Sequence, residues 1–189
     1  MEYIINGLWE CQEKLGNGFL SAATVEDAQN VYRQFDIEEG KTEGKTWVPW
    51  YALHKVLQGI LDVYLFTGNE LALNVAGNLA DWVAKRVKSW DETTRKRILR
   101  TEYGGMNDVL YRMYQITKEI RYKEVAEKFD DSELYERLIN ETYTLHGIHA
   151  NTTIPKFIGA VSSVMAVKQV ENLCSVKENE YFLYAEKFW

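Results

Sequence analysis

Apolar residues recur at steps of three and four along most of this chain, and no other feature of the sequence constrains its fold as strongly. In the clearest stretch they mark one face of a single helix: Leu53, Val56, Leu57, Ile60, Leu61, Tyr64 and Leu65. The same spacing predicts further helices over 4–15, 72–83, 106–114, 122–129, 154–165 and 181–188, and a shorter one from Asp91. Only two prolines interrupt these patterns, so we expect an all-α protein.

The predicted helices form hairpins that repeat. Four residues of one hairpin recur at an offset of 50 in the next: Tyr64, Thr67, Val75 and Ala76 match Tyr114, Thr117, Val125 and Ala126. A repeated helical hairpin indicates an α-solenoid or an α/α toroid. Solenoid repeats are mostly about 33–47 residues long. The longer period therefore favours a toroid.

Tight turns such as 67–70 alternate with long polar connections over 16–49, 88–105 and 130–153. This alternation predicts that the long connections share one end of the helix array, where loops usually build a binding site. The charged run DIEEGKTEGK, 36–45, is predicted to be a solvated loop rather than a site.

Charge and composition exclude several function classes. The net charge of −6 and the pI of about 5.2 argue against nucleic acid or an anionic membrane as a partner. No apolar run reaches the roughly 18 residues of a membrane span. The first ten residues lack a basic signal-peptide region, and Cys11 and Cys174 have no metal-ligand spacing. A reducing, cytoplasmic location is expected.

Polar residues recur where the long connections lead into helices. They are His54, Glu102, Asn107 and His149. His54 shares a helical stripe with Trp50 and Leu57, so it should border the apolar face. A structural role is an open alternative for each, because Asn107 or Asn151 could be a helix N-cap. Spacing alone names no reaction, and no catalytic triad, phosphate loop, dinucleotide fingerprint or zinc signature is present.

Several sequence runs together carry a family resemblance. They are ECQE (10–13), GNGFL (16–20), WVPWYALHK (47–55), TGN (67–69), EYGGMN (102–107), HANTTIPKFIG (149–159) and FW (188–189). In this order, across nearly the whole chain, they resemble glycoside hydrolase families 127 and 146, which include β-L-arabinofuranosidases.

The resemblance implies a fold and an activity. The fold is an (α/α)6 toroid, of which this chain would form a partial one as a single segment over 1–189. The activity is retaining hydrolysis of β-L-arabinofuranosides in plant-derived glycans. The resemblance assigns substrate contacts to His54, Glu102, Asn107 and His149, with Trp50 as a stacking wall.

The family's nucleophile is a cysteine thiolate held by zinc, with one glutamate and three cysteines as ligands, and a second glutamate is the acid/base. Zinc keeps such a sulfur deprotonated at neutral pH. This sequence contains no Glu-x-Cys and no Cys-Cys pair, and neither Cys11 nor Cys174 matches a catalytic position. We therefore expect no catalytic residue, no metal ligand and no cofactor in this chain, with zinc in the full-length enzyme. The chain alone is expected to be inactive.

Three hypotheses remain at this stage. In the first, the chain is a glycoside hydrolase segment that supplies the sugar-binding part of a cavity. In the second, it is non-catalytic, either a truncated remnant or a carbohydrate-binding helical module. The motifs make the third, an α-solenoid interaction protein, the weakest. A partial toroid would expose apolar helix faces, which predicts self-association.

Overall fold

A computed structural model describes residues 1–21, 28–101, 103–140, 146–172 and 176–189, with the backbone alone at 28–31 and 176–179. These residues form ten α-helices, a short 3-10 helix at Glu127–Phe129, and no β-strand. The helices are α1 Glu2–Leu15, α2 Ala28–Glu38, α3 Pro49–Thr67, α4 Glu70–Val87, α5 Glu92–Arg100, α6 Met106–Thr117, α7 Ile120–Ala126, α8 Ser132–Ile139, α9 Ala150–Glu171 and α10 Val176–Phe188. The predicted all-α class is confirmed.

The described residues divide into two compact units, Met1–Tyr103 and Gly104–Trp189. The first contains α1 to α5 and the second contains α6 to α10. The prediction of one domain over 1–189 stays a prediction.

The two predicted hairpin turns are built alike. After α3, Gly68 adopts a left-handed φ of 67° and its N–H bonds the Tyr64 carbonyl at 2.8 Å. After α6, Lys118 adopts φ 61° and bonds the Tyr114 carbonyl at the same distance. A threonine precedes each capping residue, and its hydroxyl donates back to the carbonyl one turn earlier. The repeat in the sequence is thus a repeat of helix C-caps.

In the first unit, α3 packs against α4, and α1 packs on α4. The Gln12 amide donates to the Gly18 carbonyl at 2.7 Å and to the Val75 carbonyl at 3.1 Å. Gly18 has φ 82°, and a Cβ on it would lie 2.4 Å from the Asn78 carbonyl oxygen. Only glycine satisfies both conditions, so Gly18 sets how closely the chain after α1 approaches α4.

The prediction of a solvated loop over 36–45 is wrong for 36–39, whereas 40–45 are exposed and lie outside any helix, as predicted. Asp36, Ile37 and Glu38 belong to α2, and Glu38 and Glu39 are buried. Arg86 of α4 contacts Glu39 at 2.7 Å and Asp36 at 2.6 Å, which compensates the charge of these carboxylates. The connection 130–153 likewise contains a helix, α8, which begins at the Asp131 N-cap. Partners distant in sequence explain why a local charge pattern misled the prediction.

In the second unit, α9 packs between α6 and α10. It begins at Ala150, earlier than predicted, so Pro155 lies inside the helix rather than in its first turn. Its buried face carries Phe157 and Ala160, whereas Ile158 and Met165, which are also apolar, are exposed.

Large apolar side chains are exposed on α1 and α9, among them Tyr3, Ile4, Ile154, Ile158 and Met165. The self-association expected from such surfaces stays a prediction. No helix within the described ranges is both long and apolar enough to cross a membrane.

Candidate functional site

His54 lies in the second turn of α3 and is buried, with 5% of its surface exposed. Its Nδ1 makes no hydrogen bond with any described residue. Burial, followed by the charge of Lys55, lowers the pKa of His54 to about 4. A backbone contact with Tyr51, which does not reach regular hydrogen-bond geometry at Nδ1, raises the pKa by less. The imidazole is therefore neutral at pH 7, and a neutral imidazole offers one donor and one acceptor to a hydroxyl group.

Trp50 lies one turn before His54 and is 0% exposed. Its ring packs edge-on against Phe35 and Trp90, with ring centroids 4.8 Å and 5.2 Å apart. The ring centroid of Trp82 lies 6.4 Å from that of Trp50. The observed contacts of Trp50 are thus with protein rings, in the offset and edge-on geometries that aromatic pairs prefer. Stacking of a sugar on Trp50 stays a prediction.

Glu102 lies outside the described residues. Asn107, in the first turn of α6, is 0% exposed. Its Nδ2 donates to Asp130 Oδ1 at 3.1 Å and to the Lys156 carbonyl at 3.3 Å, and its Oδ1 accepts from the Asp108 N–H at 3.0 Å. The carboxamide lies directly against Gly159 of α9. These bonds use most of its hydrogen-bonding capacity, and a contact with sugar stays a prediction.

Asp130 is the centre of this polar network, and no sequence pattern singled it out. Besides Asn107, its carboxylate accepts hydrogen bonds from the Tyr111 hydroxyl at 2.5 Å and the Tyr181 hydroxyl at 2.9 Å. Burial, then the nearby Asp130 charge, raises the pKa of both tyrosines, so both remain donors. Asp130 thereby joins α6 to α10, and through Asn107 to α9.

The network extends to the N-terminal part of α9. The Tyr135 hydroxyl donates to the Lys156 carbonyl at 2.7 Å. The Lys156 ammonium pairs with Asp131 at 2.7 Å, and both side chains are largely buried. Such a buried pair adds little net stability, because desolvation of the two charges offsets their attraction.

His149 is the N-cap residue of α9, and its side chain is exposed. Its carbonyl accepts from the Thr152 N–H and the Thr153 hydroxyl, both at 3.1 Å. Asn107 meets α9 at Lys156 and Gly159, more than a turn beyond His149. The structure therefore places Asn107 and His149 on two packed helices, and the convergence of all the candidates on one cavity stays a prediction.

The zinc centre that the resemblance implies does not fit the described side chains. No group of three or more histidine, cysteine, aspartate or glutamate residues with metal-binding geometry occurs among them. Cys11 is a free, exposed thiol on α1, and Cys174 lies outside the described residues.

The chain was compared with protein families and with curated proteins. The family model described as beta-L-arabinofuranosidase, GH127 catalytic domain, matches residues 1–189, the whole chain. The comparison with curated proteins found no match. The helical toroid of that catalytic domain agrees with the all-α fold seen here. The chain belongs to the GH127 beta-L-arabinofuranosidase family and is, by family, a glycoside hydrolase with a carbohydrate substrate.

Proposed function

We propose that this chain supplies sugar-binding residues to the cavity of a glycoside hydrolase that acts on β-L-arabinofuranosides of plant-derived glycans. The family match over all 189 residues carries the proposal. It is supported by the buried Nδ1 of His54, which has no hydrogen-bond partner among the described residues. Buried polar atoms nearly always have a hydrogen-bond partner, so the buried Nδ1 of His54 is an exception that calls for one. A furanose hydroxyl is a suitable partner, because it donates and accepts as a neutral imidazole does.

His149 supports the proposal from the second unit. Its exposed imidazole stands at the N-terminus of α9, where a side chain can reach a ligand without breaking helix contacts. Glu102 and Asn107 complete the proposed set. Asn107 would act mainly by holding the start of α6, since its amide already bonds Asp130 and Lys156.

No catalytic step is assigned to these residues. The sequence holds no Glu-x-Cys or Cys-Cys pair, the motifs that the family resemblance assigns to the zinc and the nucleophile. We therefore propose that the 189 residues bind L-arabinose and do not hydrolyse its glycosides. The same absence favours a second candidate, a carbohydrate-binding helical module without catalytic activity.

Binding is tested by titrating L-arabinose into the purified chain and following ligand signals by saturation-transfer NMR. His54→Phe keeps an aromatic ring, somewhat larger than imidazole, and removes the polar atoms, and we expect it to abolish the signal. His149→Ala should weaken binding, whereas His146→Ala, also an exposed histidine, should not. Equal binding by His54→Phe and the unchanged chain would refute the proposed site.

Catalysis is tested with an aryl β-L-arabinofuranoside, with and without added zinc. No turnover above background is expected. Turnover that disappears in Cys11→Ser or Cys174→Ser would contradict the proposal and identify a nucleophile in this chain. The two candidate functions, hydrolase segment and binding module, are distinguished by assaying hydrolysis with a polypeptide that joins these 189 residues to a segment carrying Glu-x-Cys and Cys-Cys. Hydrolysis that is lost in His54→Phe supports the enzyme, and binding without turnover supports the module.

A further inference from the structure

A cavity of about 480 Å³ lies in the first unit, and none of the candidate residues described above lines it. Its walls come from the chain just after α1, from α2 and from the C-terminal half of α4. They include Asn17, Tyr32, Lys41, Trp82, Lys85 and Arg86. The volume falls within the roughly 300–1,000 Å³ typical of small-molecule sites.

The walls carry three cationic side chains and an excess of positive charge. Arg86 is held by Glu39 and Asp36, and Lys41 lies 2.7 Å from Glu39. Lys85 forms no ion pair with any described residue and is exposed. Two carboxylates thus pair with Arg86 and Lys41, and no described carboxylate pairs with Lys85. An anion of single charge fits this balance.

The charge pattern also indicates which kind of anion fits. The guanidinium fork is the group that binds phosphate in a bidentate manner. In Arg86 that fork is already occupied by Glu39 and Asp36. A compact anion of double charge would gain only the two lysines and would be repelled by these two carboxylates. A monoanionic carboxylate is therefore favoured over phosphate.

The remaining wall groups suit a hydroxylated ring. The Tyr32 hydroxyl accepts a hydrogen bond from the Asn17 amide at 2.7 Å, so its own hydrogen is available to donate. Tyr32 stacks on Trp82 with ring centroids 6.2 Å apart, and both residues line the cavity. An aromatic surface with a few directed polar groups is the usual composition of a site for a small polar ligand.

We propose that this cavity binds a carboxylate-bearing monosaccharide, a uronic acid unit. Its carboxylate contacts the Lys85 and Lys41 ammonium groups, a ring hydroxyl accepts from Tyr32, and an apolar ring face lies against Trp82. The carbohydrate character of the ligand rests on the proposed function, whereas the preference for a carboxylate rests on the charges alone. The cavity would then serve as a subsite that recognises acidic glycans.

The test compares D-galacturonate with D-galactose, which differ at one carbon, by NMR titration at low salt. Galacturonate is expected to bind roughly three- to tenfold more tightly, the range of one or two exposed charge contacts. Lys85→Glu should remove this difference. Lys88→Glu, on the same helix end but outside the cavity, should keep it. Both lysines are exposed, so both variants are expected to fold, which circular dichroism verifies.

Three results would overturn the proposal: equal affinity for the two sugars, inorganic phosphate binding as tightly as galacturonate, or equal losses in Lys85→Glu and Lys88→Glu. L-Arabinose binding in the same samples separates this inference from the proposed function. If galacturonate binds and His54→Phe leaves arabinose binding unchanged, the uronate subsite stands and the His54 site fails. If only arabinose binds, in a His54-dependent manner, the reverse holds.

Discussion

Gly159 packs so closely against Asn107 that a single methyl group should disrupt the second unit. A Cβ built on Gly159 would lie 2.1 Å from Cγ and Nδ2 of Asn107 and 2.3 Å from its Oδ1. The Asn107 amide is fully buried and bonded to Asp130 and the Lys156 carbonyl, so it has little room to move. Gly159→Ala must therefore displace the amide or separate α6 from α9.

The expected cost follows from two opposing effects. Overpacking a core costs about 1–3 kcal/mol, and leaving buried polar groups unsatisfied costs about 1–3 kcal/mol more. Alanine regains about 1 kcal/mol of helix propensity over glycine. Steric and polar losses exceed this gain, and we expect a net destabilisation of about 1–5 kcal/mol.

Gly59 of α3 is a matched control, because a Cβ there meets no atom within 4 Å. Gly59→Ala should stabilise by up to about 1 kcal/mol. A chain with two compact units need not unfold in a single transition. Urea unfolding is therefore combined with amide hydrogen exchange, measured in α6 and α9 for Gly159→Ala and in α3 and α4 for Gly59→Ala.

The outcome that refutes this reasoning is a Gly159→Ala protein as stable as the unchanged chain, with α6 and α9 equally protected from exchange. A double-mutant cycle locates the cause. In an Asn107→Ala background the clashing amide is absent, so Gly159→Ala should cost little. An unchanged cost in that background would show that the strain arises elsewhere.

Three further predictions concern buried polar groups. Burial, followed by the charge of Glu39, raises the pKa of the Glu38 carboxyl to about 8. The contribution of Glu38 to the free energy of unfolding therefore falls as pH rises from about 4.5 to 8. In urea unfolding, Glu38→Gln should remove this pH dependence and stabilise the protein by on the order of 3 kcal/mol at pH 9. The pKa of His54 is lowered to about 4, so its contribution to the free energy of unfolding is complete above pH 6.5 and is lost as pH falls toward 4. His54→Phe should reduce the loss of stability over this acidic range. The same loss in His54→Phe and in the unchanged chain would contradict the lowered pKa. Tyr181→Phe removes a hydrogen-bond donor to Asp130 and should cost about 1–3 kcal/mol, whereas Tyr184→Phe on the same helix should cost clearly less. Equal losses would argue against the hydrogen bond as the cause.

Much of the local structure followed from the sequence because its causes are local. Apolar spacing predicted α3, α4 and α6, and the recurrence of Thr67 at Thr117 reflects two C-caps in which each hydroxyl bonds a carbonyl four residues earlier. The stripe shared by Trp50 and His54 predicted that the histidine borders the apolar face, and it is buried. Asp91 was predicted to begin a short helix, and it is the N-cap of α5.

The polar interior was decided by contacts between residues far apart in the chain. Asp130 looked like a residue in a loop, yet it meets Asn107, Tyr111 and Tyr181 at separations of 23, 19 and 51 residues. One signal was present: buried tyrosines usually need a partner for the hydroxyl, and Tyr111 and Tyr181 lie within predicted helices. Which acid would serve them could not be read from spacing.

The sequence by itself determined most of the helical segments, though not α2 and α8, and where the repeated turns stop them; through its motifs it also determined the family. Those properties depend on side-chain periodicity, capping and residue identity, which act within a few positions. Tertiary structure alone decided that Glu38 is buried, that Glu39 is buried beside Arg86, and which face of α9 is covered. The physical reason is that desolvating a charge or exposing an apolar side chain depends on neighbours that only folding brings together.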